Sequence, residues 1–383
     1  MGKADSFSSN KLFNDLVNAK DLIVLDVRNT ADSNAFEIEC PTPFKKLNIP
    51  YFEFIENQDL ASESIPRGLP IKIVCSKEGS AKFVSELLTE RGFENVAYLS
   101  GGMNSWGDML VPMQINPISD GYKLYQFIRP GKGSCSYGIL NDGQLFLIDP
   151  SLNFDFYLSF AKSNSVRIEK IFETHLQADY ISGSKTIAKK CGSTILATDG
   201  DFKNSFLEYQ VLANGETFEV GLNGPEVKVL FTPGHTIGSV CFILDNKYIL
   251  SGDTIFIKSV GRPDLGGKIN EWSKLLHNTL TEKIIALDGS LKVLPGHYMT
   301  WDESNDNFIF KKTLADVIEL NKEVFTMDNP EKFTQYIMDN WINPPKIYEE
   351  IRKINSCFID IDYQKIGDID LGKNQCAVTK PSK

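Results

Sequence analysis

The stretch IEKIFETHLQADY, residues 168–180, places a histidine and an aspartate directly after an apolar run of strand length. Three later stretches repeat this arrangement, with one histidine or aspartate after an apolar run: VKVLFTPGHT (227–236), YILSGDT (248–254) and LKVLPGH (291–297). Successive strands that end in polar loops, with helical stretches between them, predict an α/β sandwich. Loops at neighbouring strand ends can meet at one edge, so the sequence predicts a site there.

Ligand-type residues stand at these strand ends: His175, His235, Asp253 and His297. The chain has only four histidines. A single histidine at a strand end is usually structural, but three of four in such positions indicate a metal site. Two histidines and one carboxylate with open positions suit non-haem Fe(II) and dioxygen, and the trio His175, His235 and Asp253 has this composition. A decayed site without metal is the alternative.

This set resembles the metallo-β-lactamase superfamily over roughly residues 122–300. The first motif of that superfamily is His-x-His-x-Asp-His, and here it reads His175, Gln177, Asp179 and Tyr180. Two ligands of the usual two-metal site are therefore replaced. Metal-assisted hydrolysis generally requires both ions, so the replacements weaken the prediction of a zinc hydrolase.

The persulfide dioxygenase branch of the superfamily fits the altered motif better. The resemblance implies that His175, His235 and Asp253 hold one Fe(II), with zinc as the alternative metal. It implies that Asp179 and His297, at the second-metal positions, orient ligands or water instead of binding metal.

GRPDL (261–265), shortly after Asp253, also resembles this branch. Arg262 is a candidate partner for a carboxylate of the thiol substrate or for a structural acid, because a guanidinium binds carboxylates through two hydrogen bonds. Tyr298 is a candidate pocket residue. An ordinary core or surface role is the alternative for each.

A second candidate site lies near the N-terminus, where IKIVC (71–75) predicts a strand that ends at Cys75. A loop and then a helix follow, so several backbone N–H groups would face the thiol, favour its thiolate and bind an anionic persulfide or sulfite. A buried cysteine without chemistry is the alternative. The anion-binding loop comprises Ser76, Lys77, Glu78, Gly79 and Ser80.

LDVR (25–28), the Cys75 loop and GGMNSW (101–106), in this order, resemble the single-domain rhodanese family over roughly residues 8–110. The resemblance implies that Cys75 carries sulfane sulfur as a persulfide and that the charged residues of LDVR are structural. The loop carries lysine where rhodaneses usually carry arginine. Sulfur carriage is therefore implied more strongly than thiosulfate turnover.

The predicted fold class is α/β in both domains. Strands that alternate with helices predict a parallel rhodanese-like domain over residues 1–112. A linker over 113–121 follows, because VPMQINPISDG (111–121) has two prolines, Asp120 and Gly121. A metallo-β-lactamase-fold αββα sandwich is predicted over 122–345 and a C-terminal extension over 346–383, with mostly helical sequence from about residue 312.

Two segments near the C-terminus, PPKIYEEIRKIN (344–355) and NQCAV (374–378), resemble the tail of bacterial fusions between a rhodanese-like and a persulfide-dioxygenase-like domain. Cys376 is a candidate functional residue there. For a tail cysteine, a structural role is the more frequent one.

Composition excludes several classes of partner. The net charge is −10 and no basic patch occurs, so neither nucleic acid nor an anionic membrane surface is expected. No apolar run is long enough to cross a bilayer, and the start MGKADSFSSNKLFNDL lacks the apolar core of a signal peptide. The seven cysteines are scattered, which predicts free thiols in a reducing cytoplasm. The start MGKADS matches the loose N-myristoylation pattern, which often occurs by chance.

Three functions are compatible with these features. The leading hypothesis is an Fe(II) persulfide dioxygenase that converts a low-molecular-weight thiol persulfide and O2 into sulfite and thiol, with sulfur exchange at Cys75. The second is a zinc thioester hydrolase of the glyoxalase II kind. The third is a non-catalytic persulfide carrier with a decayed metal site. A homo-oligomer is compatible with each, and the sequence does not identify the thiol.

Overall fold

The computed structural model describes residues 4–264, 267–360 and 369–378. Gly2 of the acylation pattern and Leu265 of GRPDL lie outside the described residues. The chain divides into two compact units. The N-terminal unit comprises Met1–Val111, Arg129–Lys132 and Asp370–Lys373, and the C-terminal unit comprises Pro112–Ile128, Gly133–Ile369 and Asn374–Lys383.

The N-terminal unit contains one sheet of five strands, and every pair in it is parallel. The strands, in the order β1-β5-β4-β2-β3, are β1 (Asp5–Phe7), β2 (Ile23–Asp26), β3 (Lys45–Asn48), β4 (Ile71–Val74) and β5 (Val96–Leu99). The helices are α1 (Ser9–Val17), α2 (Thr30–Ala35), α3 (Tyr51–Glu56), α4 (Gln58–Glu63), α5 (Gly79–Glu90) and α6 (Gly102–Asp108).

Two sheets form the centre of the C-terminal unit. The first, in the order β12-β11-β10-β9-β8-β7-β6, contains β6 (Val111–Gln114), β7 (Lys123–Arg129), β8 (Ser134–Asn141), β9 (Gln144–Ile148), β10 (Arg167–Phe172), β11 (Thr194–Ala197) and β12 (Gln210–Val211). The second runs in chain order through β13 (Thr217–Glu219), β14 (Glu226–Phe231), β15 (Val240–Leu244), β16 (Tyr248–Gly252), β17 (Lys292–Pro295) and β18 (Lys312–Thr313).

The two sheets pack face to face, since the ring of Phe172 on β10 lies 5.2 Å from that of Phe242 on β15. Helices cover both outer faces. They are α7 (Phe154–Ser163), α8 (Ser184–Cys191), α9 (Asp199–Phe202), α10 (Ile269–Asn278), α11 (Leu314–Leu320), α12 (Lys322–Phe325), α13 (Pro330–Asp339) and α14 (Ile347–Asn355). This layering, with helices towards the C-terminus, confirms the predicted fold class.

The predicted linker over 113–121 is wrong in its first part, because β6 runs through Val111–Gln114. Proline is tolerated in a strand at the edge of a sheet, and β6 is an edge strand that includes Pro112. The other predicted domain limits stay predictions. Among the described residues, no helix combines the length and apolarity that a bilayer crossing needs.

Candidate functional site

The strand ends of the C-terminal unit bring the predicted ligands together. His175 follows β10, His235 follows β14, Asp253 follows β16 and His297 follows β17. Each of the four side chains is buried, with at most 2% of its surface exposed. Edge loops of the two facing sheets therefore supply one enclosed cluster.

His175, His235 and Asp253 have the geometry of a metal-binding trio. Asp253 Oδ2 lies 3.8 Å from His175 Nε2 and 3.6 Å from His235 Nε2. Two atoms that are each about 2.1 Å from one metal ion lie roughly 3–4 Å apart. Within the described part of the chain, His175 Nε2 and Asp253 Oδ2 have no hydrogen-bond partner. Leaving such groups buried and unpaired costs about 1–3 kcal/mol each, so the trio fits a metal ion.

The outer nitrogens of the two histidines are held by the surrounding chain. His235 Nδ1 lies 2.8 Å from the carbonyl oxygen of Arg262. His175 Nδ1 lies 2.9 Å from Thr174 Oγ1, whose hydroxyl donates to Asp149 Oδ2 at 2.7 Å. With Nδ1 used as the donor, the Nε2 lone pair of each ring is available to a metal.

The protonation states of the trio also suit a cation. Burial lowers the pKa of His175 to about 4 and lowers the pKa of His235, so both imidazoles are neutral at pH 7. Burial alone would raise the pKa of Asp253, but His297, His175 and His235 hold it below its usual range. Neutral imidazole and ionised carboxylate are the forms that bind metal ions.

Asp179 and His297 lie beside the trio. His297 Nδ1 is 2.7 Å from Asp253 Oδ1, and its Nε2 is 2.9 Å from Asp179 Oδ2. Burial opposes protonation, yet Asp179 and Asp253 together raise the pKa of His297 to about 10. In the metal-free protein, His297 is therefore an imidazolium between two carboxylates.

Gln177 and Tyr180 take the two motif positions where the superfamily usually has histidine. Gln177 Nε2 lies 3.5 Å from His175 Nδ1, and Tyr180 donates its hydroxyl to the carbonyl oxygen of Asp149 at 3.3 Å. Both side chains are buried. The trio His175, His235 and Asp253 is thus present, whereas two of the superfamily's usual histidine positions hold glutamine and tyrosine.

Cys376 also reaches this cluster. The ligand atoms of Asp179, His297 and Cys376 all lie within 4.8 Å of one another. Burial, followed by Asp179 and Asp253, raises the pKa of this thiol. The sequence identified Cys376 only through the likeness of its segment to a fusion tail, because nothing in the local pattern shows what a tail residue packs against.

Arg262 binds a structural acid, the second of its two predicted roles. Its Nε and Nη2 donate to the two carboxylate oxygens of Asp264 at 2.7 and 2.5 Å, and Nη1 donates to the carbonyl oxygen of Gln375 at 3.3 Å. This pairing corrects the prediction that Arg262 binds a substrate carboxylate. The ring of Tyr298 stacks on Phe310 with centroids 3.7 Å apart, which is the core role given as its alternative.

In the N-terminal unit, Cys75 lies at the end of β4 and is buried. The backbone around it is held by the start of α6: Met103 N–H donates to the carbonyl oxygen of Cys75 at 2.9 Å, and Gly101 N–H donates to Glu78 Oε2 at 2.9 Å. Ala81 N–H points at the sulfur, 3.4 Å from Sγ. The GGMNSW stretch thus shapes the Cys75 loop.

The sequence predicts that Cys75 ionises readily, but the surroundings of its sulfur favour the neutral thiol. Burial raises the pKa of its thiol and outweighs the N–H groups of Ala81, Lys77 and Ser80, which lower it. Asp26 adds a smaller increase. Backbone donors favour a thiolate only where they outweigh the loss of water around the sulfur.

Asp26 and Arg28 form a buried ion pair next to this loop. Arg28 Nη2 donates to Asp26 Oδ2 at 2.6 Å and to the carbonyl oxygen of Phe36 at 2.7 Å. Ser33 Oγ donates to the same carboxylate at 2.7 Å. These contacts fix the end of β2.

Two family models match this chain. Residues 130–297 match the model of the metallo-beta-lactamase superfamily, and residues 9–109 match the rhodanese-like domain. A hydroxyacylglutathione hydrolase of Nitrosococcus oceani is 31% identical over 217 residues, which cover 50% of this chain and 80% of that protein.

Solved structures agree with the family models. A metallo-beta-lactamase from Staphylococcus aureus aligns with a TM-score of 0.54 and 26% identity, over 62% of this chain and 72% of that one. ETHE1 from Myxococcus xanthus aligns with a TM-score of 0.51 and 22% identity, over 64% of this chain and 99% of that one, and indicates the fold alone. The chain therefore belongs to the metallo-β-lactamase superfamily and carries a rhodanese-like domain on its N-terminal side.

Proposed function

We propose that the chain is a mono-iron persulfide dioxygenase with a sulfurtransferase domain. His175, His235 and Asp253 would hold one Fe(II), which supplies the electron transfer that allows dioxygen to react with sulfur. A thiol persulfide, dioxygen and water would give sulfite and the free thiol. Cys75 would exchange sulfane sulfur with this reaction.

One observation carries the proposal: the trio is complete while the second-metal positions are not. Gln177 and Tyr180 replace two histidine ligands, and each ring nitrogen of His297 lies within 2.9 Å of a carboxylate oxygen. Hydrolysis by a two-metal centre needs both ions to be held. Dioxygen chemistry at one Fe(II) needs two histidines, one carboxylate and open positions.

The surrounding residues have definite tasks in this reaction. His297 bonds one oxygen of Asp253 and leaves the other directed at the two histidines of the trio. Burial of the whole cluster keeps bulk water away from the reacting sulfur.

A cleft of about 650 Å³ is lined by Gln177, Lys185 and Lys189 and gives an anionic low-molecular-weight thiol a way towards the cluster. A reducing cytoplasm is part of the proposal, since all seven cysteines are free thiols.

The decisive experiment measures oxygen uptake and sulfite release when glutathione, coenzyme A or bacillithiol persulfide is added to anaerobically Fe(II)-loaded protein. His235→Ala should abolish both and lose the metal. His277→Gln is the control. His277 lies on α10, and its Nε2 is 2.8 Å from the carbonyl oxygen of Met327, so this variant should keep the metal and the activity. Iron-loaded wild type that consumes no oxygen with any of the three persulfides would refute the proposal.

A zinc thioester hydrolase is the second candidate, because the Nitrosococcus oceani relative is named hydroxyacylglutathione hydrolase. The same preparations should therefore be loaded with zinc and given a hydroxyacyl-glutathione thioester. Thioester turnover by the zinc form, together with no oxygen uptake by the iron form, would favour the hydrolase.

A further inference from the structure

The segment around Cys376 is attached to the loop that follows Asp253. Arg262 N–H donates to the carbonyl oxygen of Cys376 at 2.9 Å, and Val378 N–H donates to the carbonyl oxygen of Val260 at 3.0 Å. These bonds have the pattern of an added antiparallel strand. The backbone on both sides of the thiol is therefore held in place.

Side chains fasten the same segment. Tyr348 accepts a hydrogen bond from Gln375 N–H at 2.8 Å, and Asn374 Nδ2 donates to the carbonyl oxygen of Gly133 at 3.1 Å. Arg262, which is already fixed by Asp264, donates to the carbonyl oxygen of Gln375. So many constraints on a short stretch of tail give the thiol a defined position.

That position is next to the metal trio. The sulfur lies within 4.8 Å of the ligand atoms of Asp179 and His297, and His297 bonds Asp253 at 2.7 Å. Cys376 is 1% exposed. A purely structural cysteine packs as a small apolar side chain, but this thiol lies beside the carboxylate of Asp179 and the ring of His297.

A cleft adjoins the cluster of side chains in which Cys376 packs. A cleft of about 870 Å³ is lined by Tyr348, Lys346 and Arg352, and Tyr348 packs in the same cluster as Cys376. Its lining carries two cations, Lys346 and Arg352, and two acids, Asp264 and Glu349.

We propose that Cys376 carries the substrate sulfur, so that the persulfide oxidised at the trio is covalently attached to this chain. The inference rests on the proposed dioxygenase function and names its immediate substrate. In a Cys376 persulfide, the outer sulfur lies about 2 Å from Sγ. The atom to be oxidised is then this outer sulfur and not Sγ. A persulfide supplied in solution, or one from Cys75, is then the source of sulfur and not the species oxidised.

Loading is a thiol exchange: the small persulfide RSSH and the Cys376 thiol give RSH and the Cys376 persulfide, and no oxidant is needed. In the oxidation, the Cys376 persulfide, dioxygen and water give the Cys376 thiol and sulfurous acid, which ionises to sulfite. The S–S bond breaks, the S–S unit supplies the electrons that dioxygen accepts, and the inner sulfur takes the remaining proton.

The test loads the full chain anaerobically with glutathione persulfide, in a Cys75→Ser background, and removes the excess reagent. Alkylation and peptide mass spectrometry should find one added sulfur atom on Cys376, with or without metal. After Fe(II) loading and exposure to oxygen, that sulfur should disappear and an equivalent amount of sulfite should appear. Cys376→Ser should release no more sulfite than metal-free protein, whereas Cys191→Ser, a change on α8, should behave like its parent.

Two results would overturn the inference: no added sulfur on Cys376 in any preparation, or undiminished sulfite production from glutathione persulfide by Cys376→Ser. The wild-type peptide analysis decides the matter even if the serine variant does not fold. A wild type that accepts sulfur on Cys376 but never yields sulfite would instead refute the dioxygenase function.

Discussion

Asp253 and His297 are joined by a hydrogen bond of 2.7 Å between Oδ1 and Nδ1, and the opposite nitrogen of His297 lies 2.9 Å from Asp179 Oδ2. One imidazolium thus neutralises two buried carboxylates. The same contact leaves Asp253 Oδ2 to face His175 and His235. The contact between His297 and Asp253 therefore stabilises the C-terminal unit and also orients Asp253 Oδ2, the oxygen proposed to bind the metal.

Replacing His297 by alanine should therefore lower the free energy of unfolding of the metal-free protein by about 3–5 kcal/mol, because it leaves two buried carboxylates without their cation. Urea unfolding measures the loss. Adding Asp179→Asn to His297→Ala removes one of the stranded charges and should recover part of it. An additive or larger loss in the double variant would show that the charge arrangement is not the cause.

The grouping of His175, His235 and Asp253 was predictable from the sequence. The position of Cys376 beside them was not. His175, His235 and Asp253 each follow an apolar strand pattern, and strand ends in facing sheets converge. The segment around Cys376 is held at the cluster by two hydrogen bonds. Arg262 N–H donates to the carbonyl oxygen of Cys376, and Val378 N–H donates to that of Val260. This pairing joins residues 260–262 with residues 376–378, which are far apart in the chain. The residue pattern of neither stretch predicts such a tertiary contact.

Two further differences have similar causes. The first two residues of the predicted linker form a strand together with Val111 and Pro112, at a sheet edge where Pro112 needs no ladder hydrogen bond. The raised pKa of Cys75 was not predictable, because the loop sequence shows the N–H donors but not the burial. Edge position and burial both depend on what packs around a segment, which the local sequence does not contain.

The ion pair between Asp26 and Arg28 should be a main stabiliser of the N-terminal unit. Arg28→Ala leaves the Asp26 carboxylate buried without its cation and should cost about 3–5 kcal/mol in urea unfolding. Arg28→Lys keeps the charge but loses the two-pronged contact, so a loss of about 1.5–3 kcal/mol is expected. Arg91→Ala, which breaks an exposed pair with Asp59, should cost less than about 1 kcal/mol. Equal effects of Arg28→Ala and Arg91→Ala would contradict this assignment.

Gly102 should be required for the shape of the Cys75 loop. Its φ is +59°, and a Cβ at this position would overlap the carbonyl oxygens of Lys77 and Cys75. Gly102→Ala should lower stability by about 1–3 kcal/mol and slow sulfur loading on Cys75, measured by peptide mass spectrometry. Gly79→Ala is the matched control, since a Cβ there meets no described atom within 4 Å. A loading rate that is unchanged in Gly102→Ala would show that the loop tolerates a shift.

The thiol of Cys75 should react slowly at neutral pH. Burial raises its pKa above the ordinary value, so the reactive thiolate is scarce at pH 7 and increases as the pH rises. The rate of alkylation by iodoacetamide, followed on the Cys75 peptide, should keep increasing beyond about pH 9.5, one unit above the pKa of an ordinary cysteine, where an ordinary cysteine approaches its plateau. Free glutathione, treated in parallel, corrects for the intrinsic pH dependence of the reagent. A plateau below pH 8 would mean that the N–H groups of Ala81, Lys77 and Ser80 outweigh burial, and that the loop stabilises a thiolate as its sequence suggests.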